Sequence, residues 1–287
     1  MDFTESYNEW LESDELSKDE KYRLRELTKD ERKEMFWGPL EFGTAGMRGV
    51  LDLGTNRMNV FTVKRATKGL ADFICSLGED AKKRGVVISY DTRKFSSEFA
   101  ICAAKVLSAN KINVFLFESV RPVPVCSFAI RDLNAVAAIM ITASHNPKIY
   151  NGYKVYGDDG AQMSPENTEK VVKFIEKTPD FGIEEASVEL NAESIKGKND
   201  VMADEYIKII GKNVDNRYFN AIEKLALSPE AVKEFGKDIK IVYTPLHGSG
   251  NKPVRRILKR AGFNNVYIVP EQEVPDGAFP TVKSPNP

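Results

Sequence analysis

The order of helical and strand patterns between Val60 and Ile141 constrains the fold more than any other feature of this chain. Amphipathic stretches of helix length alternate there with short apolar runs of strand length. The predicted helices lie near 61–78, at 97–109 and at 123–133, and the predicted strands lie at 86–90, 112–117 and 135–141. This alternation indicates βαβ units, whose crossovers place successive strands parallel in one sheet. We therefore predict an α/β fold with a mostly parallel sheet and helices on both faces.

Two further regions flank this alternation. Residues 1 to about 36 are highly charged with scattered apolar side chains, which is typical of solvated helices that pack one stripe inward. A polar, acidic stretch over 178–203 precedes a second set of patterns. These are a strand, a helix and a strand at 238–244, 253–262 and 264–270. We predict a first domain at 1–205, with a helical extension at its amino terminus, and an incomplete second α/β domain at 206–287.

The charge balance excludes several classes of partner. The chain has 41 Lys and Arg against 42 Asp and Glu, a net charge of −1. Binding to nucleic acid or to a membrane surface depends on a basic patch that a neutral chain does not supply. The sequence also has no long apolar run and no basic and apolar signal region at its amino terminus. We expect a cytoplasmic protein with neither a nucleic-acid nor a membrane partner.

The most informative motif follows the predicted strand at 135–141. It is Thr142–Pro147, with the sequence TASHNP. Ligands of open α/β sheets bind at the carboxyl ends of strands, where a rigid strand displays the residues of the next loop. Ser144 is therefore the candidate nucleophile. The alternative is a simple turn, because Ser, Asn and Pro favour turns for local backbone reasons.

A second strand pattern follows this motif closely. Asn151–Tyr156 alternates so that Lys154 lies on one face and its neighbours Tyr153 and Val155 lie on the other. A chain that turns back after Ser144 can bring the ammonium group of Lys154 beside the serine. The alternative is a solvated lysine on a half-exposed strand.

A glycine-rich segment precedes the alternating region. In Gly43–Gly49 (GTAGMRG) a glycine occupies every third position, so the backbone can approach an anion closely. Arg48 adds a planar guanidinium that matches phosphate oxygens. The spacing fits neither a P-loop nor a dinucleotide fingerprint, and an ordinary glycine turn is the alternative.

Two other candidates lie at the carboxyl ends of predicted strands. Arg93 follows the strand at 86–90, and we rank a structural role for it ahead of a catalytic one. His247 follows an apolar segment and precedes a glycine turn and a predicted helix. Such an arrangement makes an anion site, although an ordinary helix entry explains it equally well.

These motifs together resemble the α-D-phosphohexomutases, and within that family they are most similar to the bacterial phosphoglucomutases of the phosphoglucomutase/phosphomannomutase group. The matching segments lie in the same order along nearly the whole chain, at 41–59, 90–93, 142–162, 244–248 and 284–287. Several separated motifs in order are more specific than one hexapeptide. The resemblance is to the amino-terminal portion of the family, with its first domain and part of its second.

The resemblance implies a phosphoserine enzyme of carbohydrate metabolism in the isomerase class. Ser144 would pass its phosphoryl group to a hexose monophosphate, and the bound 1,6-bisphosphate would return its other phosphate to the serine. The net reaction interconverts glucose 1-phosphate and glucose 6-phosphate, with glucose 1,6-bisphosphate as intermediate and activator. The alternatives are mannose or pentose phosphates as substrates, or a catalytically inactive fragment that binds sugar phosphates.

The resemblance also assigns roles to individual residues. It makes Lys154 the general acid and base and Arg48 a contact to the phosphoserine. We interpret His145 as a phosphate or substrate contact or, almost equally, as a loop-ordering residue, because adjacent position in sequence usually turns such a ring away from the serine oxygen. The remaining phosphate or substrate contacts are Thr44, Gly46, Asn146, Arg93 and His247.

Members of the family bind Mg²⁺ through a phosphoserine oxygen and an Asp-x-Asp-x-Asp-Arg loop. No such loop occurs in these 287 residues. The resemblance therefore implies a Mg²⁺ ion to which this chain contributes Ser144, through its phosphoryl oxygen, with the other ligands beyond Pro287. On this basis we expect the 287 residues alone to lack mutase activity.

Overall fold

A computed structural model describes residues 3–43 and 46–282 of the protein. The α-helices are α1 (Phe3–Glu12), α2 (Lys18–Glu26), α3 (Lys29–Phe36), α4 (Val60–Ser76), α5 (Glu79–Arg84), α6 (Ser96–Ala109), α7 (Val123–Asp132), α8 (Pro165–Ile175), α9 (Ala192–Ile195), α10 (Lys212–Glu223), α11 (Pro229–Phe235) and α12 (Asn251–Ala261). The strands are β1 (Met47–Val50), β2 (Val86–Tyr90), β3 (Val114–Phe117), β4 (Ala137–Ile141), β5 (Tyr150–Gly157), β6 (Val201–Met202), β7 (Ile207–Ile210), β8 (Lys240–Tyr243) and β9 (Asn265–Ile268).

The main sheet of the described residues has the strand order β1-β5-β4-β2-β3-β7-β6. Its four central strands, β4, β2, β3 and β7, run parallel. Antiparallel strands extend it at both edges, with β5 and β1 on one side and β6 on the other. The return of β5 beside β4 is antiparallel because the short connection between them has no room for a crossover helix. The predicted mostly parallel α/β fold is confirmed.

Helices cover both faces of this sheet, as the sequence predicts. The side chains of β2 alternate, so that Val86 and Ile88 pack with α4 and α6 while Val87 packs with α7. On β5, Tyr153 faces the α4 side and Tyr156 the α7 side. Strands buried on both faces favour apolar residues at nearly every position, and the buried hydroxyl of Ser89 on β2 donates to the carbonyl oxygen of Arg121.

The amino-terminal helices form a small aromatic core of their own. Trp10 is fully buried, and its ring meets Phe36, Phe61 and Phe181 edge to face. Capping boxes start α2 and α3. The predicted charged helices with one inward stripe are confirmed. No helix in the described part of the chain combines the length and apolarity that crossing a membrane requires.

The part of the chain after the main sheet forms a second unit, which contains the parallel pair β8 and β9 together with α12. The main sheet of the first unit continues beyond the junction that the sequence predicts near 205, because Ile207–Ile210 pairs with β3. This short segment adds its backbone hydrogen bonds to an edge that β3 would otherwise leave open. The predicted boundaries, 1–205 and 206–287, otherwise stay a prediction.

Candidate active site

The candidate site is the loop between β4 and β5, which we call the serine loop (residues 142–149). Ser144 is exposed there and has a φ of +57°, in the left-handed region that residues other than glycine rarely adopt. Its backbone N–H donates to Thr142 Oγ1 at 2.9 Å. Because strain of this kind persists only where the surroundings enforce it, the loop displays Ser144 in one fixed backbone conformation.

A buried carboxylate holds Thr142. The Thr142 hydroxyl donates to Asp91 Oδ2 at 2.6 Å, while Asp91 Oδ1 accepts the Arg93 backbone N–H and the Ser96 hydroxyl. Burial raises the pKa of Asp91, and these hydrogen bonds oppose the rise. The carboxyl end of β2 thereby sets the position of the amide of Ser144.

The side chain of Arg93 binds backbone carbonyl groups of the serine loop and of the residue after it, and we call this arrangement the Arg93 clamp. Its Nη2 donates to the carbonyl oxygens of Ser144 and Asn146 at 3.0 and 2.7 Å. Its Nη1 donates to those of Pro147 and Tyr150, both at 3.0 Å. The side chain is only 2% exposed. Its four terminal N–H groups are all engaged, which agrees with the structural role ranked first for Arg93, while its role as a phosphate contact stays a prediction.

Arg48 and Lys154 lie on one face of the sheet beside this loop. Arg48 on β1 is paired with Gly152 on β5, and Lys154 follows Gly152 by two residues, so the three positions face the same way. Arg48 is exposed and its Nη1 donates to Asn146 Oδ1 at 2.8 Å. The structure thus places Arg48 and Asn146, two predicted site residues, in direct contact.

Lys154 is half-buried in this arrangement. Burial and then the charge of Arg48 lower its pKa, while the charge of Asp91 acts in the opposite direction. A lysine with a lowered pKa has more of its neutral form available near neutral pH. This is the electrostatic condition that a lysine needs in order to accept a proton.

Substituting Arg48 with glutamine should raise the pKa of Lys154. The glutamine keeps the bulk of the side chain but removes the neighbouring cation that disfavours the ammonium form. Titration of ¹³C-labelled lysine side chains by NMR measures the shift. Arg217→Gln, which changes an arginine of α10 that is paired with Asp132, is the matched control and should leave the pKa of Lys154 where it is. An unchanged pKa in Arg48→Gln would show that Arg48 does not tune Lys154.

His145 lies closer to the serine than the sequence suggests. Its Nδ1 is 3.3 Å from Ser144 Oγ, within hydrogen-bonding distance, so the expectation that the ring turns away is wrong. The left-handed backbone at Ser144 changes the relative direction of the two side chains. Both interpretations of His145, a phosphate contact or a loop-ordering residue, stay predictions.

His247 has a different position from the one its motif predicts. Its ring is 3% exposed, with Nδ1 donating to the carbonyl oxygen of Val274 and Nε2 lying 2.9 Å from Thr281 Oγ1. Both ring nitrogens are therefore engaged. In this structure His247 anchors the segment that follows β9, as its alternative structural interpretation expects, and its role as a phosphate contact stays a prediction.

The glycine-rich segment also serves packing. Gly46 has a φ of +102°, and a Cβ there would lie 2.0 Å from the carbonyl oxygen of Tyr153. The close approach of β5 therefore explains why position 46 is a glycine, and no bound anion is needed to explain it. Gly152 is similar, because a Cβ would meet the carbonyl oxygen of Thr142 at 2.6 Å. A glycine inside a strand pattern is the sequence signal for such an approach. Thr44 lies outside the described residues.

Mg²⁺ needs several oxygen ligands, usually carboxylates among them. In residues 3–43 and 46–282 no group of three or more His, Cys, Asp or Glu is arranged to hold a metal ion. Asp91 is committed to the hydrogen bonds of the serine loop. The described residues therefore do not fit a complete magnesium site.

Comparisons with protein families match both units. The first domain of the phosphoglucomutase/phosphomannomutase family, described as its alpha/beta/alpha domain I, matches residues 39–180. Domain II of the same family matches residues 216–287. The phosphoglucomutase of Staphylococcus aureus strain N315 is 38% identical over 258 residues, which cover 90% of this chain and 43% of that protein. The chain thus spans less than half the length of such curated relatives.

Solved structures share the fold. A protein from Thermus thermophilus superposes with a TM-score of 0.65 at 24% identity, covering 85% of this chain and 48% of that one. The open form of parafusin from Paramecium, described as a phosphoglucomutase, gives a TM-score of 0.62 at 19% identity, with coverage of 84% and 45%. At these identities the likeness concerns the fold alone.

Proposed function

Because this chain belongs to the phosphoglucomutase/phosphomannomutase family, we propose that Ser144 carries a phosphoryl group which the whole protein moves between two oxygens of glucose phosphate. The observation that supports this most strongly is the exposed, left-handed Ser144. Phosphoryl transfer asks a protein mainly for positioning and for charge neutralisation. The serine loop supplies the first, and Arg48 with Lys154 supplies the second.

Residues of this chain account for the bonds and the proton of the transfer step. A hydroxyl of the bound sugar phosphate attacks phosphorus, the bond from phosphorus to Ser144 Oγ breaks, and a sugar bisphosphate forms. Neutral Lys154 takes the proton of the attacking hydroxyl, and its ammonium form then returns a proton to the departing serine oxygen. The reverse step, with the other phosphate of the bisphosphate, restores the phosphoserine.

The charges around the serine act on Lys154 in opposite directions. Arg48 would neutralise the phosphoryl oxygens, and its charge also helps to keep part of Lys154 in the neutral form. A phosphate on Ser144 would raise the pKa of Lys154 again, because a nearby anion favours the ammonium form. The protonation of Lys154 would therefore follow the phosphorylation state of Ser144.

Mg²⁺ and glucose 1,6-bisphosphate remain part of the proposal. The ion would supply positive charge at the phosphoryl oxygens, with Ser144 contributing its phosphoryl oxygen and the other ligands coming from outside the described residues. Glucose 1,6-bisphosphate would serve as the phosphoryl donor that primes Ser144.

The direct test is phosphoryl uptake by the dephosphorylated whole protein, because the 287 residues alone are expected to lack mutase activity. We expect incubation with glucose 1,6-bisphosphate and Mg²⁺ to add one phosphoryl mass, detected by intact-mass spectrometry and located on Ser144 by peptide mapping. Mannose 1,6-bisphosphate in a parallel reaction tests the phosphomannomutase alternative through its rate of uptake. Binding of the sugar phosphate by the whole protein with no mass increase would favour a catalytically inactive sugar-phosphate-binding protein and would refute the phosphoserine.

A further inference from the structure

A turn of the second unit, residues 275–280, lies directly against the Arg93 clamp. At Gly277 a Cβ would lie 2.6 Å from the backbone nitrogen of Lys94 and 2.8 Å from the carbonyl oxygen of Thr92. The φ of Gly277 is outside the left-handed region, so the glycine is required by space and not by its conformation. The two units therefore meet here in backbone-to-backbone packing.

Phe279 adds a specific contact at the same place. The Arg93 guanidinium lies over its ring, 5.6 Å from the centroid, within the range of a cation–π interaction. Phe279 has a φ of +47°, a conformation that costs energy for a bulky residue. The edges of the guanidinium bind the serine loop, and its face contacts Phe279.

The second unit braces this turn from its own core. His247 binds the carbonyl oxygen of Val274 before the turn and the Thr281 hydroxyl after it. Asn251, at the start of α12, donates to the carbonyl oxygen of Glu273. His247 and Asn251 are both buried, and their hydrogen bonds hold the chain on both sides of the turn that carries Gly277 and Phe279. Beside this contact, a cavity of about 390 Å³ lies between Asp91–Arg93 and the start of α12.

We propose that Phe279 is a positioning residue for Ser144, acting through Arg93, so that docking of the second unit sets the geometry of the serine loop. Arg93 binds four carbonyl groups of and next to this loop, and any shift of its guanidinium moves them together. The catalytic meaning of this role rests on the proposed phosphoserine, but the mechanical coupling does not.

Hydrogen–deuterium exchange of the 287-residue protein measures the coupling without any activity. Phe279→Leu keeps an apolar side chain but removes the ring face, and we expect peptides of the serine loop to exchange about threefold to tenfold faster. Phe279→Tyr keeps the ring and should restore the slow exchange. Phe235→Leu, at an exposed phenylalanine of α11 in the second unit, is the matched control and should leave the loop unchanged.

Gly277→Ala tests the same contact independently, because its methyl group pushes the turn away from Thr92 and Lys94. Faster exchange of the serine loop in this variant supports the proposal. Faster exchange confined to residues 245–282, in this variant and in Phe279→Leu, would overturn it. If the second unit of Phe279→Leu unfolds, the exchange of the serine loop in Gly277→Ala decides the question. Phosphoryl uptake is measured separately, so an absent phosphoserine would refute the proposed function and leave this coupling standing.

Discussion

Ser144→Ala in the whole protein is expected to reduce phosphoryl uptake from ³²P-labelled glucose 1,6-bisphosphate to background. Removing a nucleophile costs an enzyme at least about a thousandfold in rate, because no second group takes its place. Ser144 is exposed and its backbone N–H, which binds Thr142, is retained in alanine. The loss should therefore reflect missing chemistry in a protein that remains folded.

The matched control for this variant is Ser76→Ala, which removes an exposed hydroxyl at the end of α4. It should take up label at the wild-type rate. Near-normal labelling of Ser144→Ala would mean that another residue carries the phosphoryl group, and the assignment of the nucleophile would fail. Circular dichroism of both variants confirms that the helices are intact.

Arg93→Met is expected to destabilise the protein by about 3–5 kcal/mol, the usual cost of removing one partner of a buried ion pair. The Arg93 guanidinium lies 3.4 Å from a carboxylate oxygen of Asp91, and its loss also leaves the serine-loop carbonyls of the clamp without their donor. Unfolding in urea, followed by circular dichroism, measures the change. Arg93→Lys should recover only part of the loss, because an ammonium group cannot span four carbonyls.

A surface arginine provides the comparison. Arg217→Met breaks a pair with Asp132 in which Arg217 is 46% exposed, and such pairs contribute at most about 1 kcal/mol. If Arg93→Met cost no more than Arg217→Met, the Arg93 clamp would not be a stabilising element of the serine loop. Phosphoryl uptake by Arg93→Lys then shows whether the geometry of the loop limits the chemistry.

The sequence correctly predicted those elements whose residue types are determined by burial. The apolar runs of β2 and β4 were recognisable because both faces of these strands are covered. The sequence prediction omitted α8 although Ser164 and Pro165 mark its start, and it omitted β7, whose four residues join the sheet edge. The four residues of β7 are too few for a period to be seen, whereas α8 has 11 residues and a start signal and was within reach of prediction.

The candidate site divides in the same way. The serine loop followed from a strand and the motif after it, and the face of Lys154 followed from alternation. The groups that Arg93 and His247 bind did not follow, because they lie far along the chain. Arg93 reaches carbonyls 51 to 57 residues away, and His247 reaches groups 27 and 34 residues away.

The amino-acid order alone was enough to specify an α/β sheet and to put Ser144 at the carboxyl end of one of its strands. Both are encoded by patterns that repeat every two to four residues and record which side of an element is buried. Only the folded chain decided that one arginine holds the serine loop and that the second unit touches it through Phe279. Such contacts depend on the directions of side chains from distant segments, and no local periodicity records them.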